Sequence, residues 1–412
     1  MSAFSIPLSG LEAMSSSLNN IANNLANLNT DGFKDQSLNF ADIVNQMQGT
    51  SGNDDPIQTG SGVQTAGTSS NFTNGTVTAT GVDSNMALQG NGFFVVQNAS
   101  GTDYTRSGDF TVNSAGQLCT PGGELVMGYQ ATDGVVSTAS ALAPISVNQT
   151  TTIPGVASTS FEMSTNLDSS AAAGTTFSTP ISVYDSLGTA QTLTVQYTNT
   201  SANNWSYSIT LPASATGGTG SPTTVASGTL AFNSSGQLTS PSGSVTGINI
   251  SGLADGAANM NLTWNLADAS GNPTITQQNA TSATASTDQN GYGVGSLTGY
   301  SVLADGTVQG QFSNNQTLAL GQVAVASFAN TQGLAQVGSS DYQATFASGA
   351  AVVGQAGSGG NGTITGGSVE TSNVDLSTEF SKMIVAQQGY EANAKVLTTL
   401  NQISQATIQM MG

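Results

Sequence analysis

The stretch LNNIANNLANLNTDGFK, residues 18–34, decides how the chain is read. Its leucines and isoleucine keep helical spacing, yet the positions between them are crowded with asparagine, a mediocre helix former. Carried toward the N-terminus, Leu11, Met14, Leu18, Ile21, Leu25 and Leu28 alternate spacings of three and four. That is a heptad seam, and it predicts an amphipathic helix with a narrow apolar stripe. Ser9-Gly10-Leu11-Glu12 fits a capping box at its start. Gly32, after Asn29-Thr30-Asp31, suits a left-handed stop.

The far end repeats the pattern. Phe380, Met383, Gln387, Tyr390, Ala394 and Leu397 keep the same three-four spacing, continued less cleanly through Ile403 or Ser404 to Ile408 and Met411. Ser372-Asn373-Val374-Asp375 offers capping groups for this second helix. Between the ends, short apolar strands alternate with turn residues. Val195 and Tyr197, then Trp205, Tyr207, Ile209 and Leu211, and Val323 with Val325, show period-two patterning, punctuated by Gly-rich runs. The reading is mainly β and multi-domain, with sandwich or barrel-like middle domains between two terminal helices. FTVNSAGQLCTPGG from Phe110 echoes LAFNSSGQLTSPSG from Leu230, and a shared hairpin type explains that as well as a duplication. Residues 49–70 have little hydrophobicity and read as a flexible linker or as an extended arm.

Composition removes whole classes of function. Only 7% of the 412 residues are charged, the net charge is −19, and the basic residues are Lys34, Arg106, Lys382 and Lys395. Nucleic-acid binding needs cations to neutralise phosphates, so no nucleic-acid partner is expected, and anionic membranes are disfavoured by the same sign. The chain has no histidine and one cysteine, Cys119. Histidine-based catalytic triads and the commonest metal ligand are therefore absent, and Cys119 reads as a small buried hydrophobe. No basic-then-apolar leader opens the sequence and no apolar run is long enough for a membrane span; richness in Gly, Ser, Thr and Asn with few Lys and Glu resembles an exported or surface-assembled protein, and export would then imply a route without a cleaved signal.

Catalytic motifs fare poorly. Gly357-Ser358-Gly359-Gly360-Asn361-Gly362 satisfies G-x-G-x-x-G but lacks the strand-turn-helix setting that gives such a loop its dinucleotide. The 23 acidic residues form no calcium-loop pattern, and turn residues such as Asp185 and Asp268 are explained by local hydrogen bonds. No enzyme activity, cofactor or metal is expected. Assembly is what remains: an apolar stripe at each end seeks a partner. The plainer alternative, docking of both helices on their own domain, is opposed by the linker-like segment behind the first helix. A sparsely charged surface also does little to oppose self-association.

These residues resemble a known family. LSGLEAMSSSLNNIANNLANLNTDGFK resembles the N-terminal signature of the flagellar rod and hook axial proteins, and ETSNVDLSTEFSKMIVAQQGYEANAKVLTTLNQ resembles their C-terminal one. GNGFFVV and YTRSGDFTVNSAGQL are typical of the same group. Signature positions carried over are Asn23, Asn24, Asn27, Asn29, Thr30, Gly32, Phe33, Lys34, Gly92, Phe93, Phe94, Asn373 and Asp375. VYDSLGTAQTLTVQYTNTSANNWSY and DGTVQGQFSNNQTLALGQVAVASFANTQGL resemble segments of the hook members. Gln387-Gln388-Gly389-Tyr390 departs from the family's more common Gln-Arg-x-Tyr and removes a basic residue from the second helix.

The resemblance implies four parts: residues 1–30 with 372–412 as a helical coiled coil lining a tube, 31–70 as a linker or arm, 71–148 with 287–371 as an inner β domain, and 149–286 as an inserted outer domain. It implies a homopolymer forming a curved, flexible tube, with a distal rod protein, a hook cap protein, a hook-filament junction protein and the type III export apparatus as partners. Alternatives are a distal rod or hook-associated subunit and, from another class, a β-rich extracellular adhesin. An extracellular hydrolase comes last.

Overall fold

In the computed structural model, which describes residues 4–44, 46–50, 56–148 and 150–411, the two helices are α1, Ser5–Ala26, and α2, Leu376–Met411. Helix α1 begins four residues before the expected capping box, because Pro7 is tolerated in a first turn where its missing N–H has no partner to lose. Ser9 is therefore inside the helix. Its Oγ donates to Ile6 O at 2.8 Å and accepts from Val63 N at 3.2 Å. Helix α2 is capped by Asp375, whose Oδ1 accepts from Thr378 N at 2.7 Å.

Residues 31–70, expected as a linker or arm, contain paired strands. Gln36–Asp42 runs antiparallel to Val63–Ser70, and Gln46–Thr50 to Pro56–Thr59. Residue 45 and residues 51–55 of that expected bridge lie outside the described residues, as do residues 1–3 and 412 of the terminal part. Strand pairing satisfies the backbone groups of a segment too polar to build a core of its own.

The chain divides into two compact units. The first comprises residues 1–148, 299–310 and 317–412. Its main sheet is built around Phe93–Asn98, flanked by Gly101–Thr105 and Leu125–Thr132, with Thr317–Ser327 beyond. The run Phe93-Phe94-Val95-Val96 is buried throughout, since it feeds two cores. Phe94 and Val96 join Phe110, Val126, Val323 and Val325, whereas Phe93 and Val95 join Tyr104, Tyr129, Ala324 and Tyr342. A continuous apolar run is what a strand covered on both faces needs. Gly92 enters it at φ +122°, where a Cβ would meet Val325 Cγ1 at 2.5 Å.

The second unit comprises residues 149–298 and 311–316, and within it Ala283–Gln289, which spans the expected edge at 286, pairs with Ser160–Asp168. One sheet holds that pair with Met260–Asn265, Val245–Ile250 and Ile275–Gln278. The other is an antiparallel meander from Thr176–Tyr184 to Leu238–Ser240. Alternate residues of both sheets enter one core around the fully buried Tyr197, Trp205 and Trp264. That is a β-sandwich. The echoed motifs fold alike in the two units: Asn113 Oδ1 accepts from Ala115 N and Gln117 N, and Asn233 Oδ1 from Ser235 N and Gln237 N.

Candidate assembly interface

Helices α1 and α2 pack on each other, antiparallel. Gly10 lies against Asn393, Met14 against Gly389, and Asn24 against Glu379, so a step forward along α1 is matched by an equal step back along α2. A Cβ on Gly10 would stand 2.8 Å from Asn393 Nδ2, and one on Gly389 would stand 2.9 Å from Met14 Sδ. The line of closest contact therefore runs through Gly10, Met14 and Asn24 on α1 and Glu379, Gly389 and Asn393 on α2, with Ala13, Ile21 and Ala386 buried as well; of the expected α1 seam it takes in Met14, Ile21 is buried with it, and the leucines stay half-buried. Small residues let the two backbones approach, and the larger apolar side chains are displaced to the flanks.

Each residue expected in the apolar seam can be placed against that contact. Ile21 is buried; Leu11, Met14, Leu18, Leu25, Leu28, Met383 and Leu397 are half-buried; Phe380 and Tyr390 are exposed. Ile384, Val385, Ile403, Ile408 and Met410 are exposed too. Pairing within one chain leaves much of both apolar stripes open. Between α1, the strand Gln36–Asp42 and the first half of α2 lies a groove of about 690 Å³, whose apolar lining is Met14, Ile21, Leu38, Phe40, Val385 and Ala386.

The helices are rooted in a buried polar junction. Glu370, closed to solvent, receives Lys34 Nζ at 2.6 Å on Oε1 and Arg106 Nη1 at 3.3 Å on Oε2, with Gly75 N donating to Oε1 at 2.7 Å. Lys34 Nζ also donates to Thr73 O, and Arg106 Nη2 to Gly90 O at 2.6 Å. Arg106 lies 5.5 Å from the centre of the Phe93 ring. Burial lowers the pKa of Lys34 from its ordinary value, and the charge of Glu370 opposes that shift.

Asn24 carries the junction into the helix pair. It is fully buried; Nδ2 donates to Asp35 Oδ1 at 2.6 Å, Gln36 O at 2.8 Å and Glu379 Oε2 at 3.3 Å, and Oδ1 accepts from Gln36 N at 3.1 Å. Glu379 in turn holds Lys382 at 2.6 Å. Asn373 Oδ1 accepts from Asp35 N at 2.7 Å, while its Nδ2 donates to Asn71 O and Thr73 O. Gly32 turns the chain at φ +70°, donates its N–H to Glu370 O at 2.7 Å, and packs so tightly on Ser107 that a Cβ would sit 2.4 Å from its backbone N. Phe33 is buried beside it. Asn27 donates to Asn23 O and accepts from Thr30 Oγ1, so those signature residues shape the helix end; Asn29 is exposed.

Three of the chain's four basic residues thus meet in one region. Sequence reasoning singled out Lys34 but missed Glu370 and Arg106 as its partners, although the scarcity of cations was itself a signal. Among the described residues, no group of three or more acidic residues or cysteines is placed to hold a metal ion, and no helix is long and apolar enough to cross a membrane.

Residues 6–34 match the model described as flagella basal body rod protein, 87–166 the flagellar hook protein FlgE/F/G D1 domain, 146–292 the flagellar basal body protein FlaE D2 domain, and 365–410 the flagellar basal body rod FlgEFG protein C-terminal region. The chain is 35% identical to flagellar hook protein FlgE of Escherichia coli K12 over 428 residues, covering 99% of this chain and 100% of that one. To FlgE of Treponema pallidum it is 29% identical over 442 residues, covering 95% and 96%. The crystal structure of Helicobacter pylori FlgE2 shares the fold, at a TM-score of 0.50 and 15% identity, covering 71% of this chain and all of that one. With 99% of its length covered by a relative at 35% identity, the chain belongs to the flagellar hook protein FlgE family.

Proposed function

We propose that the chain is a structural subunit of the bacterial flagellar hook, polymerising into a curved, flexible tube that works as a universal joint between rod and filament. The observation that carries this reading is the helix pair, whose leucine flanks remain open although its small-residue line is closed. Contacts that repeat head to tail without closing produce an open helical polymer. Bending once per turn requires contacts that form and release cheaply. Serine, threonine and asparagine contacts, each worth little net in water, suit that better than strong ion pairs. The chain is placed in the extracellular hook, reaching it by type III export without a cleaved signal. Its neighbours there are copies of itself, with a distal rod protein and a hook-filament junction protein at the two ends and a hook cap protein during growth.

The test is sedimentation and electron microscopy of the full chain over a concentration series under precipitating conditions. Tubes are expected above a critical concentration, and Leu18→Ser with Leu25→Ser should abolish them while the β units melt unchanged. A full chain that stays monomeric throughout would defeat the reading.

A further inference from the structure

We infer that Phe346 is an intersubunit anchor, seated in the polymer in the groove between α1, the strand Gln36–Asp42 and α2 of a second copy of this chain. The inference rests on the hook reading above. Phe346 is completely exposed, an uncommon state for a phenylalanine that nothing covers. Its loop is not slack. Thr345 N donates to Ser348 Oγ at 2.9 Å, Ser348 Oγ donates back to Thr345 O at 2.9 Å, Thr345 Oγ1 donates to Gly333 O at 2.5 Å, and Asn330 Nδ2 donates to Ala347 O at 3.0 Å. Ser348 at the loop's base is fully buried. The ring is therefore presented on a fixed mount and loses little conformational freedom on docking, which is how aromatic anchors work at interfaces.

Charge does not oppose a second copy at this place. At −19, copies repel wherever acidic surfaces face each other. No charged residue lies between Asp341 and Glu370, so the Phe346 loop approaches a neighbour without that penalty. The charges lining the groove are Glu379 and Lys382, already paired at 2.6 Å. Its apolar wall includes Phe40 and Val385, both exposed in the single chain. A knob and a hole on different parts of one chain make a heterologous contact, which propagates instead of closing into a dimer.

The experiment uses the full chain. Phe346→Ser should leave the melting temperature unchanged and raise the critical concentration for polymerisation about tenfold or more, as loss of one buried aromatic implies. Separately, chains carrying Phe346→Cys and chains carrying Val385→Cys are mixed, polymerised and mildly oxidised; the native Cys119 is buried. A disulfide-linked heterodimer is the expected product. If the unsubstituted chain polymerises, yet Phe346→Ser does so equally well and no heterodimer forms, the anchor is overturned and the hook reading stands. If the unsubstituted chain forms no polymer, the hook reading falls and the anchor with it.

Discussion

Lys34 Nζ lies 2.6 Å from Glu370 Oε1, with both side chains closed to solvent and the two residues 336 positions apart in the chain. This pair, with Arg106 on the other carboxylate oxygen, joins the turn after α1 to the segment before α2. Removing Glu370 leaves two buried cations facing each other without compensation. Glu370→Gln should lower the unfolding free energy by about 3–5 kcal/mol, measured by urea denaturation. A change within error would mean that the cations are neutralised elsewhere.

Asn24 tests the link between the junction and the helices. Asn24→Ala removes the partner of Gln36 N and of Asp35 Oδ1, at a cost of about 1–3 kcal/mol. Amide exchange along Gln36–Asp42 should quicken, while the core of the second unit, around Trp264, keeps its protection.

Gly32 is required twice, by its left-handed φ and by the backbone of Ser107 beneath it. Gly32→Ala should destabilise the first unit by about 2 kcal/mol or more. Thermal unfolding followed at the first unit would show it, and a neutral result would contradict the packing described.

Asp341 gives the chain a pH dependence. Burial, then the nearby charges of Glu124 and Asp103, push its carboxyl from 3.8 up to about 7, against a hydrogen bond with Thr105. The folded state holds this proton where the unfolded state has lost it, so the contribution is fully present below about pH 4 and fades as pH rises through about 7. Asp341→Asn should flatten the decline in unfolding free energy between those values. Parallel curves for the two chains would exclude Asp341 as its source.

How far the sequence could be read follows from which forces leave a local pattern. Period-two strands such as Ala190–Ser201 and Asn204–Leu211 bury alternate residues, as their patterning requires, whereas Thr317–Ser327, read the same way through Val323 and Val325, is buried on both faces there. The helices were legible from leucine spacing, but the line along which they touch was not. Gly10, Ala13, Ala386 and Gly389 carry no hydrophobic signal, and close approach of backbones is a property of the pair. The paired strands of residues 36–70 were hidden because Val63–Ser70 is polar on both faces and the two large apolar side chains of Gln36–Asp42, Leu38 and Phe40, enter no core, being half-buried and exposed; their stability comes from backbone pairing and from Asn20 and Asn24 reaching Gln36 O. The asparagines of residues 18–34 divide accordingly: Asn20 and Asn24 tie helix to strand, Asn23 and Asn27 close the helix end, and Asn19 and Asn29 face outward. The Lys34–Glu370–Arg106 cluster joins three distant signatures, and only the rarity of basic residues hinted at it.

The account centres on helices that pair within a chain and leave their apolar flanks for neighbouring copies. Image reconstruction of the polymer at side-chain resolution tests this most directly. The account predicts a tube whose inner wall is built of α1–α2 pairs, with Leu11, Leu18, Leu25 and Val385 buried against adjacent copies. A polymer in which those side chains remain exposed, or in which the helices lie on the outer surface, would contradict it.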